Sequence, residues 1–272
     1  MTESSLSPRT PLDVAIGLAR HALSAEPSGV LTDYDGTLSA IVGDPADARL
    51  ADGAGDALAA LARRLAVVAV ITGRAAADAR RHVDVPGVLV VGNHGVEWLE
   101  AGSEEPSAPP GAAAVAERLD TVLDGVATPP GVVVERKGLS GTVHYRNATH
   151  PGRVRAAILE AVSAAASHGI EVREGRMSVE LRPRDLGDKG QAARAIVARH
   201  GLRGAVVLGD DLTDLDMFAA IADLRDRGEL RGAIIAVDGA DREAPREVIA
   251  AADAVLGTPA EVAELLEALA AR

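Results

Sequence analysis

Two short acidic runs stand out for the chemistry their spacing allows. Asp33-Tyr34-Asp35-Gly36-Thr37 follows the apolar run Val30–Thr32, and Gly209-Asp210-Asp211-Leu212-Thr213-Asp214 follows Ala205–Leu208. A chain leaving a strand stops alternating sides, so carboxylates just past two neighbouring strand ends can converge on one ligand. Such a group does not stay ionised unaided, because unit charges ~4 Å apart repel by ~4 kcal/mol even at an effective dielectric of ~20. A hard divalent cation resolves the repulsion. An oxygen-only donor set, in a chain with no Cys and no His pair at zinc spacing, suits Mg²⁺ rather than zinc. Lys189, in Gly187-Asp188-Lys189-Gly190, adds a further positive charge.

A third segment, Thr72-Gly73-Arg74, ends the run Val67–Ile71. There a hydroxyl and backbone N–H groups at the start of a helix can hold an anion, and a phosphate fits. With a cation and Lys189 draining charge from the phosphoryl oxygens, ionised Asp33 is a competent nucleophile toward phosphorus. Asp35 can then protonate the leaving oxygen and afterwards take a proton from the water that hydrolyses the aspartyl phosphate. Alone, Asp-x-Asp reads as a solvated turn; here it is one of several chemistry-bearing segments at predicted strand ends.

These segments need elements to position them. Runs Val30–Thr32, Val67–Ile71 and Val88–Val91 alternate with Ala-rich helical stretches and break into polar or glycine residues, the last at Gly92-Asn93-His94-Gly95. That rhythm predicts a parallel α/β sheet with its ligand at the carboxyl ends of the strands. A Pro/Gly/Ser-rich linker at 101–111 interrupts it, and a different order follows: helix 112–124, strands 132–136 and 140–146, helix 151–168, strands 170–174 and 177–182. In the last of these strands Met177, Val179 and Leu181 alternate with Ser178, Glu180 and Arg182, so one sheet face is apolar and the other polar. Beyond Arg184 the α/β rhythm resumes. The expected organisation is a disordered stretch 1–11, a core from 12–103 and 185–272, and an inserted α+β module at 104–184 with two helices on a four-stranded sheet.

Composition removes several functions. Forty Asp and Glu against 28 Lys and Arg give a net charge of −12 over 272 residues, unsuited to a groove lined for nucleic-acid phosphates. With one Phe, one Trp and two Tyr there is no stacking platform for single strands. The longest apolar run, Leu65–Ile71, is far short of the roughly 20 residues of a membrane-spanning helix. The start, Met1-Thr2-Glu3, does not read as a signal peptide, and with no Cys the chain is expected in a reducing cytoplasm.

The ordered motifs resemble those of the haloacid dehalogenase superfamily, whose Rossmann-like core carries an inserted cap, and within it the trehalose-6-phosphate phosphatases. The resemblance implies that Asp33, the Asp35 backbone carbonyl and Asp210 hold Mg²⁺, with Asp211 and Asp214 supporting them. It also implies that the Tyr34 backbone N–H joins Thr72, Gly73, Arg74 and Lys189 on the phosphate. The insert looks like that family's cap in Lys137-Gly138-x-Ser140, His144-Tyr145-Arg146 and Glu180-x-Arg182-Pro183, and Asn93-His94-Gly95 adds to the likeness. Asn93, His94, Gly95, Lys137, Ser140, His144, Arg146, Glu180 and Arg182 are the substrate residues so implied. The family commonly has Glu after the last Asp of the metal loop, where this chain has Leu215. The implied reaction is Mg²⁺-dependent hydrolysis of trehalose 6-phosphate, in trehalose synthesis beside a trehalose-phosphate synthase, with no nucleic-acid or membrane partner. Sucrose phosphate or glucosylglycerol phosphate would need the same core with different cap residues. A module that senses a phosphosugar without turnover would need neither a cap nor Asp35.

Overall fold

The computed structural model describes residues 9–175, 177–239 and 244–271. Of the stretch expected to be disordered, 1–8 lie outside the described residues, while the Thr10 N–H donates to Val255 O at 2.8 Å. In chain order the elements are α1 (Leu12–Leu23), β1 (Ser28–Thr32), α2 (Ala54–Ala62), β2 (Val67–Ile71), α3 (Ala76–Val83), β3 (Leu89–Gly92) and β4 (Glu97–Leu99). There follow α4 (Ala112–Asp124), β5 (Val133–Arg136), β6 (Gly141–His144), α5 (Pro151–Ala161), β7 (Ile170–Gly175) and β8 (Ser178–Pro183). The chain ends in α6 (Lys189–His200), β9 (Gly204–Gly209), α7 (Asp214–Asp226), β10 (Arg231–Val237), α8 (Arg246–Ala251), β11 (Ala254–Leu256) and α9 (Pro259–Ala270). Two compact units result, one running to Pro106 and resuming at Asp188, the other Ser107–Gly187.

The first unit is built on a seven-stranded sheet in the order β11-β10-β9-β1-β2-β3-β4, parallel except for β4, which runs antiparallel to β3. Every residue of β1, β2 and β9 is buried, as runs of Val, Leu, Ile and Ala must be when helices cover both faces. Alternate side chains divide between two cores. Val30, Val68, Val70, Val206 and Leu208 pack with Ala15, Leu58, Leu61 and Leu265 from α1, α2 and α9. Leu31, Ala69, Ile71 and Val207 pack with Ile196, Phe218 and Ile221 from α6 and α7. At ~1.5–3 kcal/mol for each fully buried branched side chain, this two-sided burial is what fixes β1 in the middle of the sheet. Its end is flanked by β9, paired Thr32 to Leu208, and by β2, paired Thr32 to Val70.

The second unit carries a four-stranded antiparallel sheet in the order β5-β6-β8-β7. Val143, Val179 and Leu181 form its core with Leu119 and Leu123 of α4 and Ile158 of α5. Across the strands Glu135 pairs with Thr142, Thr142 with Glu180, and Glu180 with Arg173, a polar row on one face. The fold class is thus the expected one, a mostly parallel α/β sheet and a separate α+β unit. The helix expected over 151–168 stops at Ala161 and gives way to a 3₁₀ segment, Ser163–His168. Val162 and Ala165 are both buried, and the tighter 3₁₀ turn puts residues three apart on one face. The strand expected over 140–146 is shorter: the Tyr145 N–H still donates to Met177 O at 3.0 Å, but its carbonyl turns away to accept the Ala148 N–H at 3.1 Å, and the chain leaves the sheet there. Among the described residues no helix is long and apolar enough to cross a membrane.

Candidate functional site

The first unit gathers its acidic groups where β1 and β9 end. Asp33 N–H donates to Leu208 O at 2.9 Å, one residue past the last strand pair, so β1 stays laced to β9 as it delivers Asp33. Asp33 is buried, and Lys189, the first residue of α6, puts its Nζ 2.9 Å from Asp33 Oδ1 and 2.7 Å from Asp214 Oδ1. Asp188 caps α6 by accepting the Gln191 N–H at 2.7 Å, which sets where Lys189 begins. Asp214 opens α7 and folds back, so that its Oδ2 accepts from the N–H groups of Asp210 at 2.9 Å and Asp211 at 3.0 Å. Gly209 is needed for this, since a Cβ there would run into the Asp214 carboxylate. Gly36, in the left-handed region at φ +85°, is needed likewise, since a Cβ there would run into the Asp210 carboxylate. Thr37 Oγ1 donates to Asp210 Oδ1 at 2.9 Å.

Asp33, Asp210 and Asp214 each offer a carboxylate oxygen within 4.8 Å of the others. Three carboxylates around one ammonium leave two negative charges uncompensated when all are ionised. Burial pushes Asp33 up to about 7, Lys189 pulling it down and Asp214 adding to the rise. Burial first, then Asp33 and Asp214, hold Asp210 well above the usual carboxylate range. Lys189 goes the other way from a lone buried lysine: burial opposes its charge, but Asp214 and Asp33 outweigh burial and hold it protonated. A divalent cation would neutralise the two residual charges, and this all-oxygen donor set fits a hard one. Asp214 has both oxygens engaged, which leaves Asp33 and Asp210 as the better placed ligands. Asp211 lies apart from the group: its Oδ1 accepts the adjacent Leu212 N–H at 2.6 Å.

On the other side of β1, Thr72 follows β2, donates its N–H to Val91 O at 2.9 Å, and accepts the Arg74 N–H on Oγ1 at 3.2 Å. Asn93 and His94 grip this loop from behind, donating to Arg74 O at 2.7 Å and Thr72 O at 2.9 Å. Both are left-handed, at φ 48° and 57°, a conformation that costs on the order of 1–3 kcal/mol in a non-glycine residue and is held only by its surroundings. The His94 ring lies against Gly73, where a Cβ would stand 2.6 Å from its Cε1. Gly95, at φ +115°, abuts the Asp188 carbonyl, so Asn93, His94 and Gly95 brace the Thr72–Arg74 loop and the start of α6. The Tyr34 carbonyl accepts from the N–H groups of Thr37, Leu38 and Ser39 in the turn after β1, and its backbone N–H helps to stabilise the Asp33 carboxylate.

In the second unit, Glu135 gathers two of the expected residues: His144 Nε2 is 3.1 Å from its Oε2 and Lys137 Nζ 3.6 Å. Lys137 Nζ also donates to Thr142 Oγ1 at 3.3 Å. Glu180 stands in the same cross-strand row. Ser140 is buried and its carbonyl accepts the Lys137 N–H at 2.8 Å. Arg146 is exposed beyond β6. Arg182 is buried and donates to Glu171 Oε2 at 2.9 Å, an ion pair across β7 and β8. Thr37, Asp78, which accepts from Arg74 Nη1 at 3.2 Å, Glu135 and Glu171 are among the participants that the sequence did not single out. Thr37 sits inside the first acidic motif; Asp78 is four residues after Arg74 on α3, a helical ion-pair spacing; Glu135 and Glu171 become visible only through the strand register that sets them beside His144 and Arg182.

The trehalose-phosphatase family pattern matches residues 31–245. The trehalose-phosphate phosphatase of Mycobacterium avium (strain 104) is 39% identical over 262 residues, covering 91% of this chain. This chain spans 63% of the length of that relative. The C-terminal domain of a Candida albicans trehalose-6-phosphate phosphatase superposes with a TM-score of 0.78 at 25% identity, covering 97% of this chain and 99% of that one. The C-terminal domain of a Candida albicans trehalose synthase regulatory protein shares the fold, with a TM-score of 0.72 at 12% identity over 97% of this chain and 99% of that one. With the family pattern running from β1 past the acidic loop after β9 to just before α8, this chain belongs to the trehalose-phosphatase family.

Proposed function

We propose that the chain is a Mg²⁺-dependent phosphatase that hydrolyses trehalose 6-phosphate to trehalose and phosphate through an aspartyl phosphate at Asp33. The observation that carries this reading is the buried group of Asp33, Asp210 and Asp214, two of which share a single ammonium, Lys189 Nζ at 2.9 Å from Asp33 and 2.7 Å from Asp214. Asp33, Asp210 and the Asp35 carbonyl would hold Mg²⁺, which when bound supplies positive charge to the phosphoryl oxygens. Thr72, Gly73, the Tyr34 N–H and Lys189 orient the phosphate. An Asp33 oxygen attacks phosphorus, the bond from phosphorus to the sugar oxygen breaks, and Asp35 delivers the proton that this oxygen needs. Water then attacks phosphorus, Asp35 takes its proton, and the bond from phosphorus to Asp33 breaks, releasing orthophosphate. Asp214 holds Lys189 and the Asp210 loop in place.

Trehalose 6-phosphate is favoured over other esters by family membership and by the name of the mycobacterial relative. The sugar hydroxyls are assigned to Lys137, Ser140, His144, Arg146 and Glu180, which offer donors and acceptors of both charges, while Arg182, buried on Glu171, supports the sheet that carries them. The chain, with no Cys, is assigned to the cytoplasm, and its proposed substrate, a disaccharide phosphate, assigns it a place downstream of a trehalose-phosphate synthase. Phosphate release measured over trehalose, sucrose, glucosylglycerol and glucose phosphates, with Mg²⁺ and with a chelator, tests the reading. Turnover is expected to be fastest on trehalose 6-phosphate and to stop on chelation; chelator-insensitive hydrolysis, or preference for another ester, contradicts it.

A further inference from the structure

Arg74 follows Thr72-Gly73 and so reads from sequence as a phosphate ligand, but its guanidinium is committed elsewhere. Nε and Nη2 donate to Asp35 Oδ2 and Oδ1, each at 2.7 Å. Nη2 also donates to Pro45 O at 2.9 Å, and Nη1 to Asp78 Oδ2 at 3.2 Å. A guanidinium has five N–H donors, and these bonds use four of them. The group also lies over the Tyr34 ring, 5.2 Å from its centroid, and the Arg74 side chain is only 8% exposed.

What holds Arg74 is itself fixed. Asp78 is on α3, the Pro45 carbonyl belongs to a 3₁₀ turn over Pro45–Asp47, and Tyr34 is fully buried in the core. Asp35 is different: its side chain is 42% exposed and outside the inner group of carboxylates. A planar fork bonded to both oxygens sets a carboxylate's rotation as well as its place, which an ammonium cannot do.

The geometry points to Arg74 as the positioning residue for Asp35, setting the orientation from which that carboxyl meets the leaving oxygen, and not as a ligand of the phosphate. This rests on the proposed role of Asp35 in proton transfer, and it separates two kinds of ester. A sugar alkoxide leaves only with a proton from the general acid, whereas p-nitrophenolate leaves without one, so misplacing Asp35 slows the first far more than the second. An arginine that held the phosphate would matter equally to both.

The test uses the whole chain with Mg²⁺, comparing wild type with Arg74→Ala and Arg74→Lys on trehalose 6-phosphate and on p-nitrophenyl phosphate. Inhibition by orthophosphate is measured in parallel. In both variants kcat on the sugar phosphate is expected to fall at least about tenfold further than on the aryl ester, within the roughly 10²–10⁴ that general acid–base catalysis supplies. Orthophosphate inhibition is expected to stay within about threefold, and Asp35→Asn combined with Arg74→Lys should be no slower on the sugar phosphate than Asp35→Asn alone. Equal losses on the two esters, additive losses in the double variant, or a tenfold weaker orthophosphate inhibition overturns the inference. A wild type that cleaves the aryl ester and no sugar phosphate instead refutes the proposed function, and with it any part for Arg74 in releasing a sugar.

Discussion

Thr37→Val is the perturbation whose size follows most directly from the geometry. Thr37 is fully buried, and its hydroxyl donates to Asp210 Oδ1 at 2.9 Å. Valine keeps the branched shape and removes the donor. A hydrogen bond to a charged acceptor contributes about 1.5–3 kcal/mol, and Asp210, already crowded by Asp33 and Asp214, has Thr37 among the few groups that favour its charge. If Asp210 must be ionised and oriented to hold Mg²⁺, that loss falls on metal binding, and at 1.36 kcal/mol per decade it weakens affinity by roughly 10- to 150-fold. Calorimetric titration with Mg²⁺ reads the affinity, and a thermal melt confirms that the variant is folded, with a loss of about 2–4 °C for each kcal/mol of lost stability in a chain of this size. A folded Thr37→Val protein that binds Mg²⁺ as tightly as wild type would refute the reasoning, because Asp210 would then have no part in the cation site.

Two further outcomes are expected. Glu180→Ala should lower kcat/KM on trehalose 6-phosphate at least about tenfold more than on p-nitrophenyl phosphate, since one lost hydrogen bond to a sugar hydroxyl at ~1.5 kcal/mol has no counterpart on the aryl ester; equal losses would remove Glu180 from sugar recognition. Glu135 is held below the usual carboxylate range because the His144 hydrogen bond, with Lys137 beside it, outweighs burial. Its contribution to stability is therefore present above its unfolded value of about 4.3 and lost as pH falls through the lower folded value. Unfolding in urea should show wild type and Glu135→Gln converging in stability below that pH, and a gap that persists would contradict the assignment.

The parts legible in the sequence are those where one residue type has one physical use. Val67–Ile71 and Ala205–Leu208 are uninterrupted apolar runs ended by polar loops, and each is a fully buried strand. The acids at 33, 210 and 214 and Lys189 come together because those strands are neighbours of β1. What escaped was short or relational. β4 and β11 have three residues each, too few to show a period. Arg74 announced a phosphate by its place in the chain, but Asp35, Asp78 and the Pro45 carbonyl, from three separate segments, claimed its donors. Arg182 looked like one of a polar face, yet it is buried against Glu171 of the adjacent strand, a pairing set by register that spacing along one strand does not reveal.

The claim on which the account depends is that Asp33 takes the phosphoryl group. Borohydride added during turnover with Mg²⁺ and trehalose 6-phosphate reduces an aspartyl phosphate to homoserine, and peptide mass spectrometry locates it. The account predicts homoserine at position 33 in wild type and none in Asp33→Asn, which should also release no phosphate. Steady phosphate release with residue 33 unmodified, or with the label on another carboxylate, would contradict it.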